Sequence, residues 1–181
     1  LVDGSHRSSR RQFLTLAAAG AAATLLPLPA WALPGKRSIS FHNTHTGEDL
    51  TVTYFAEGRY RTDALRQVAV NLRDHRTGEI HAIDPTLLDL LCGLRRRMDC
   101  TEPFHVISGY RSPRTNAALA AKSKGVAKRS LHMQGLAIDI RLPGRNLGEL
   151  RRLAMAMQAG GVGYYPKPGF VHVDVGRVRS W

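Results

Sequence analysis

Acidic residues are scarce in this chain: 14 Asp and Glu stand against 26 Lys and Arg in 181 residues, for a formal net charge of +12. The imbalance points to an anionic partner without saying which kind. Cysteine is scarcer still, with only Cys92 and Cys100, so a single bridge is the most the chain can form. On one continuous helix their separation in sequence would hold them roughly 12 Å apart, beyond the ~7 Å allowed between bridged Cα atoms, so a bridge requires a helix end between them. No apolar run reaches the roughly 20 residues of a membrane-spanning helix. No internal repeat is present, and no low-complexity segment beyond the N-terminal leader. Solenoid, collagenous and mainly disordered states are excluded. What remains, 43% apolar and 22% charged residues with 17 Gly and 9 Pro, is the composition of a globular domain. The length suits one core and is short for two.

The leader occupies residues 1–32. Ser9-Arg10-Arg11-Gln12-Phe13-Leu14 is followed by an Ala- and Leu-rich run at 16–28, then by Ala30-Trp31-Ala32. These are the three regions of a signal peptide in order, with cleavage expected after Ala32. The pair Arg10-Arg11 ahead of Phe13-Leu14 resembles a twin-arginine export signal. Pro27 and Pro29 interrupt the apolar run, so no stable membrane span is expected once the signal is removed. Setting the leader aside removes Arg7, Arg10 and Arg11 against Asp3 and leaves a basic domain at 33–181. In the periplasm the abundant anionic polymers are cell wall and lipid, so nucleic acid is not expected as a partner.

Strand-like runs at 38–43 and 50–55 flank Thr46-Gly47-Glu48, a hairpin signal. Ala64, Leu65, Val68, Ala69 and Leu72 have helical spacing. Asp84-Pro85 supplies an N-cap and a first-turn proline for a second helix carrying Leu87, Leu88, Leu91 and Leu94. Arg95-Arg96-Arg97 complements the dipole at its C-terminal end. A short strand at 104–108 precedes a third helix opened by Ser112-Pro113. The basic stretch 122–130 reads as an exposed loop. A strand at 136–142, an amphipathic helix at 146–158 ended by Gly160-Gly161, and strands at 163–165 and 170–175 complete the chain. The expected class is α+β, a small, mostly antiparallel sheet packed with helices.

The chemistry concentrates in Ser130-Leu-His132-Met-Gln-Gly135-Leu-Ala-Ile-Asp139 and in Val171-His172-Val-Asp174. Strand alternation turns Asp139 away from Ile138 and Ile140, and His172 away from Val171 and Val173, toward the same side as Asp174. A carboxylate in an apolar strand needs a cation or donors. If the two strands are neighbours, Asp139 and His172 meet one ion, with His132 reaching in from a turn that Gly135 permits. Two histidines and a carboxylate suit Zn²⁺, and three protein ligands leave a fourth position to water, the arrangement of catalytic rather than structural zinc.

Taken together, Ser108-Gly-Tyr-Arg111-Ser-Pro, the His132-to-Asp139 block and Phe-Val-His172-Val-Asp174 resemble the zinc peptidases of the D-alanyl-D-alanine carboxypeptidase and hedgehog-like group, peptidase family M15. Asn43-Thr-His-Thr-Gly-Glu48, Arg76-Thr-Gly-Glu79, Ile83-Asp-Pro85 and the ending from Val173 to Trp181 are similar to its MepK-like murein endopeptidase branch. The resemblance spans about residues 36–181. It implies zinc held by His132, Asp139 and His172, with Arg111 binding or polarising the substrate carbonyl, a role that suits a fixed cation facing an oxyanion. Several members of the group carry a carboxylate three residues before the last histidine ligand; here that position is Gly169. Asp174 is the carboxylate left in the block, either as general base or as the acceptor that orients a histidine ligand.

The expectation is therefore a monomeric, periplasmic, zinc-dependent peptidase that hydrolyses amide bonds in peptidoglycan cross-links and binds stem peptides. Endopeptidase is preferred to carboxypeptidase on the branch resemblance alone. The alternative is a non-catalytic wall-binding module stabilised by zinc, which the glycine at 169 favours. His42, His45, His75 and His81 lack a partner pattern and are expected to be structural or at the surface. His105 is the exception, since it sits in the strand leading into Ser108 and Arg111 and is the one of these histidines placed to approach the site. Tyr164 and Tyr165 are candidates either for the core or for a substrate groove. The loop at 122–129, just before His132, is positioned to attract wall-peptide carboxylates.

Overall fold

The sheet begins as the hairpin signal predicts. Strand β1 (Arg37–Asn43) and strand β2 (Asp49–Ala56) pair antiparallel, and the turn between them closes where Gly47 adopts φ +72, a conformation that favours glycine. The computed structural model describes residues 35–123 and 125–181; the leader lies outside the described residues. The remaining elements are β3 (Arg59–Tyr60), α1 (Thr62–Asn71), α2 (Pro85–Arg97), β4 (Phe104–Ser108), α3 (Pro113–Lys122), a 3₁₀ helix (Leu131–Gln134), β5 (Ala137–Arg141), α4 (Leu147–Ala156), β6 (Gly161–Tyr165), β7 (Phe170–Asp174) and β8 (Arg179–Ser180). The strands form one eight-stranded sheet in the order β3-β2-β1-β4-β5-β7-β6-β8. Pairings β1–β4 and β6–β8 are parallel and the others antiparallel, which is the expected α+β class.

Helix starts follow their caps. Asp84 accepts a hydrogen bond from Thr86 N ahead of Pro85, Ser112 accepts from Thr115 N ahead of Pro113, and Asn146 accepts from Glu149 N. Each satisfies a backbone donor that the first turn leaves without a partner, a contribution of about 1 kcal/mol per cap. Helix α2 buries Leu87, Leu88, Leu91 and Leu94 completely. They share one core with Ile39 and Phe41 of β1, Val106 of β4, Ile138 and Ile140 of β5, and Val171 and Val173 of β7. Full burial of each such side chain contributes about 1.5–3 kcal/mol. Helix α2 ends before Cys100, and both cysteines are buried free thiols.

Alternation in β5 and β7 sends the isoleucines and valines into this core and leaves Asp139 and His172 on the other face. The register puts Asp139 opposite His172, between the core pairs Ile138–Val173 and Ile140–Val171. Two elements had no signal in the periodicity, β3 and β8, each only two residues long. A third feature, the 3₁₀ helix, stands where a simple turn was expected.

Candidate metal centre

The third ligand comes from the 3₁₀ helix. Ser130 caps it by accepting from His132 N, and Gly135 ends it with φ +68. A Cβ at Gly135 would lie 2.0 Å from the Ala82 carbonyl oxygen, so glycine alone allows the chain to turn there and start β5. His132, Asp139, His172 and Asp174 are 2%, 6%, 8% and 0% exposed, which leaves four ionisable groups nearly out of water beside an apolar sheet.

His132 Nε2 lies 3.2 Å from His172 Nδ1 and 3.3 Å from Asp139 Oδ1, while His172 Nδ1 is 2.9 Å from the same oxygen. The remaining ring nitrogens are held from behind. His132 Nδ1 is 2.7 Å from the Gly109 carbonyl oxygen; a carbonyl only accepts, so Nδ1 carries the proton and a neutral ring turns its Nε2 lone pair to the cluster. His172 Nε2 likewise donates to Asp174 Oδ2 at 3.0 Å. Two ring lone pairs and an anionic oxygen this close require positive charge between them, either a proton or a metal ion.

The acidities express that demand. Burial disfavours the His172 imidazolium, yet hydrogen bonds to Asp139 and Asp174 outweigh it and push the pKa up to about 9. Burial also opposes ionisation of Asp139, but His132 and His172 hold its carboxyl well below the usual range. The donor set fits a metal ion. The three ligand atoms lie within 4.8 Å of one another, each imidazole is locked by an acceptor on its far nitrogen, and two nitrogens with one carboxylate form a borderline set.

Arg111 stands beside the cluster. Its loop is anchored by Tyr110 N donating to Leu72 O (2.8 Å) and Arg111 N to His132 O (3.2 Å), and by Ser112 N donating to Asp74 Oδ2 at 2.9 Å. Gly109 lets this loop lie against α1, since a Cβ there would meet Leu72 O at 2.5 Å. The guanidinium is largely buried but holds its partners loosely: Nη2 is 3.5 Å from Asp139 Oδ2 and 3.3 Å from Ser108 Oγ, and Nη1 is 3.5 Å from Asn116 Oδ1. Burial lowers its pKa, an effect that Asp139 opposes. Donor capacity is left for a further acceptor.

The cluster and Arg111 floor a groove of about 460 Å³, whose walls include Arg129, Tyr165, Phe170, Arg179 and Trp181. Of the two adjacent tyrosines, Tyr165 lines this groove while Tyr164 packs against the core. The basic loop at 122–129 contributes Arg129 to the wall. His105 does not join the cluster; its ring lies 4.7 Å from that of His42 on β1. His45 stacks on His75, and His81 on Tyr110. Gly169 sits at φ +77 in the turn between β6 and β7.

Asp174 lies on the opposite side of the His172 ring from Asp139. Its Oδ1 accepts from Gly161 N, Gly176 N and Arg179 Nη1, and its Oδ2 from His172 Nε2 and Arg179 Nη2. Burial would raise its pKa, but these partners, His172 first, keep it well below the usual range. Sequence reasoning missed Arg179 and Trp181. A two-residue strand offers no period to detect, and what marks both positions is the pair Gly161 and Gly163 on the neighbouring strand, recognisable only once that strand is seen beside them.

A family model described as peptidoglycan L,D-endopeptidase MepK matches residues 32–181. The chain is 41% identical over 177 residues to the peptidoglycan L,D-endopeptidase MepK of Escherichia coli strain K12, covering 96% of this chain and 97% of that one. It is 35% identical over 177 residues to the probable peptidoglycan L,D-endopeptidase MepK of Haemophilus influenzae, covering 96% of this chain and 95% of that one.

Proposed function

Because this chain belongs to the MepK family of M15 peptidases, we propose that it is a zinc-dependent peptidoglycan endopeptidase. Its substrate is then an amide bond within a peptide cross-link, and we assign to it the L,D-endopeptidase specificity that the names of its relatives carry. The observation that carries the reading is the convergence of His132, Asp139 and His172 next to Arg111 in one open groove. Zn²⁺ held by these three side chains supplies Lewis acidity and a water acidic enough to ionise near neutral pH.

The chain's own residues do the rest. Arg111 presents its spare N–H donors where the scissile carbonyl enters, and stabilises the oxygen as negative charge builds on it. Tyr165, Phe170 and Trp181 form an apolar wall that takes the stem peptide and keeps bulk water from the cluster, while Arg129 favours its carboxylates. Of the two roles open to Asp174, its five hydrogen bonds and complete burial support the acceptor that orients His172; a base needs a free lone pair toward the reacting water. Peptidoglycan lies outside the inner membrane, so the enzyme acts there, and we assign the leader with Arg10-Arg11 as its export signal. Among the described residues no helix is long and apolar enough to cross a membrane.

The test is to incubate purified sacculi with the zinc-loaded protein and separate the muropeptides. Cross-linked species are expected to fall and their peptide-cleaved products to rise. An unchanged cross-link profile on several wall types overturns the proposal in favour of a wall-binding module.

A further inference from the structure

Strand β8 is two residues long, yet three features tie it to the metal centre. It runs parallel to β6, with Arg179 opposite Gly161 and Ser180 opposite Val162, and Trp181 continues the pairing through Trp181 N to Val162 O and Tyr164 N to Trp181 O. Arg179 grips the fully buried Asp174 with both nitrogens, at 2.7 Å to Oδ2 and 3.1 Å to Oδ1, the bidentate geometry in which arginine binds carboxylate most firmly. Asp174 in turn holds His172 Nε2. Trp181 reaches the same imidazole from another direction: its ring centroid lies 5.3 Å from that of His172, and its indole N–H donates to the Tyr165 hydroxyl at 2.8 Å.

Strand β6 is shaped to receive these side chains. A Cβ on Gly161 would stand 2.4 Å from Arg179 Nη1 and from Asp174 Oδ2, and one on Gly163 would stand 2.8 Å from the Trp181 ring. Glycine weakens a strand interior and is kept where another group must approach closely. Two glycines on one face of a five-residue strand mark the seats of Arg179 and Trp181.

We propose that β8 is a positioning strap for the metal centre: Arg179, acting through Asp174, and Trp181, covering the ring, hold His172 with Nδ1 turned toward Asp139 and His132. The inference rests on the zinc reading above and adds a determinant of how tightly the ion is kept. Without the guanidinium, Asp174 loses its bidentate partner and no longer fixes the imidazole, so ring and metal loosen together.

The experiment compares zinc affinity, by competition with a chromophoric chelator, and the ligand-field absorption of the Co²⁺-loaded protein in wild type, Arg179→Gln and Arg179→Lys. Arg179→Gln is expected to bind zinc several-fold more weakly with an altered Co²⁺ spectrum, less than the about 10- to 100-fold for loss of a ligand's direct outer partner, which here is Asp174. Arg179→Lys, which keeps a cation there, is expected to fall between it and wild type. Should circular dichroism show Arg179→Gln unfolded, Arg179→Lys carries the test, and wild-type affinity in that variant overturns the strap. No zinc uptake by the wild type overturns the metal centre and the strap with it. Equal uptake and identical spectra in all three overturn the strap alone.

Discussion

The face of the sheet turned away from the core is polar at both ends, with very different consequences. On β1 and β2 it carries Ser38 hydrogen-bonded to Thr53, Thr51 to Ser40, and His42 to Asp49. On β5 and β7 it carries Asp139 and His172. The alternation is the same, polar outward and apolar inward, and both pairs are antiparallel. What differs is cover. The first set sits at or near water, where hydroxyl and ion-pair contacts are weak. The second is closed over by the 3₁₀ helix, the groove walls and Trp181, and charges out of water demand partners. The same pattern is surface at one end and chemistry at the other, and burial makes the difference.

The contrast breaks most sharply at the ligands. His172→Ala is expected to abolish muropeptide release and zinc binding while the far-UV dichroism stays native, because Val171 and Val173 beside it still fill the core. Loss of the fold would mean that the site, not the core, sustains that end of the sheet. Next in size, Arg111→Ala should lower kcat by about 10²–10³ with zinc retained, the range for removing a donor from an oxyanion; metal analysis and steady-state kinetics decide it, and loss of zinc would refute the assignment.

Zinc affinity should also depend on pH through the covered end alone. With the His172 pKa raised to about 9, the imidazole is charged below that value and must lose a proton to bind the ion. Affinity should therefore fall about tenfold per pH unit below it, with proton release visible in calorimetry across buffers of different ionisation enthalpy. In the metal-free protein the same charged form stabilises the fold below the ordinary 6.5, and that contribution disappears as pH rises through about 9.

Asp74, which anchors the Arg111 loop, gives a smaller effect of opposite sign. Burial would raise its pKa, but hydrogen bonds from Thr115, Ser112 and Arg76 N hold it well below the ordinary 3.8. Its stabilisation is present above that value and lost as pH falls below it. Asp74→Asn should lower stability at neutral pH on the order of 1–3 kcal/mol and flatten the acid limb of a denaturation series. Smallest of all, Ser40→Ala at the open end should change stability by no more than about 0.5 kcal/mol and leave zinc affinity untouched. A shift in zinc affinity there would show that the two ends are coupled.

Much of this was legible along the chain. The caps at Asp84 and Ser112 are local hydrogen bonds, so residue type and position sufficed to place the starts of α2 and α3. Asp139 between two isoleucines and His172 between two valines announced an ionisable face on an apolar strand. Arg179 and Trp181 could not be read in this way. A two-residue strand has no periodicity to detect, and the role of Arg179 exists only because Asp174 lies across from Gly161. Asp174 itself was ambiguous because its spacing from His172 is the same whether it faces a substrate or the back of an imidazole.

By itself, then, the sequence determined which side chains share a strand face, where helices begin and which residue types could hold a borderline metal ion, because each of these depends on neighbours within a few residues. The tertiary structure alone decided that Asp139 lies opposite His172, that His132 reaches them, that Asp174 is filled from behind by Arg179, and that one end of the polar face is roofed while the other stays wet. Those outcomes depend on strand register and on water exclusion by segments distant in the chain, and no local period records either.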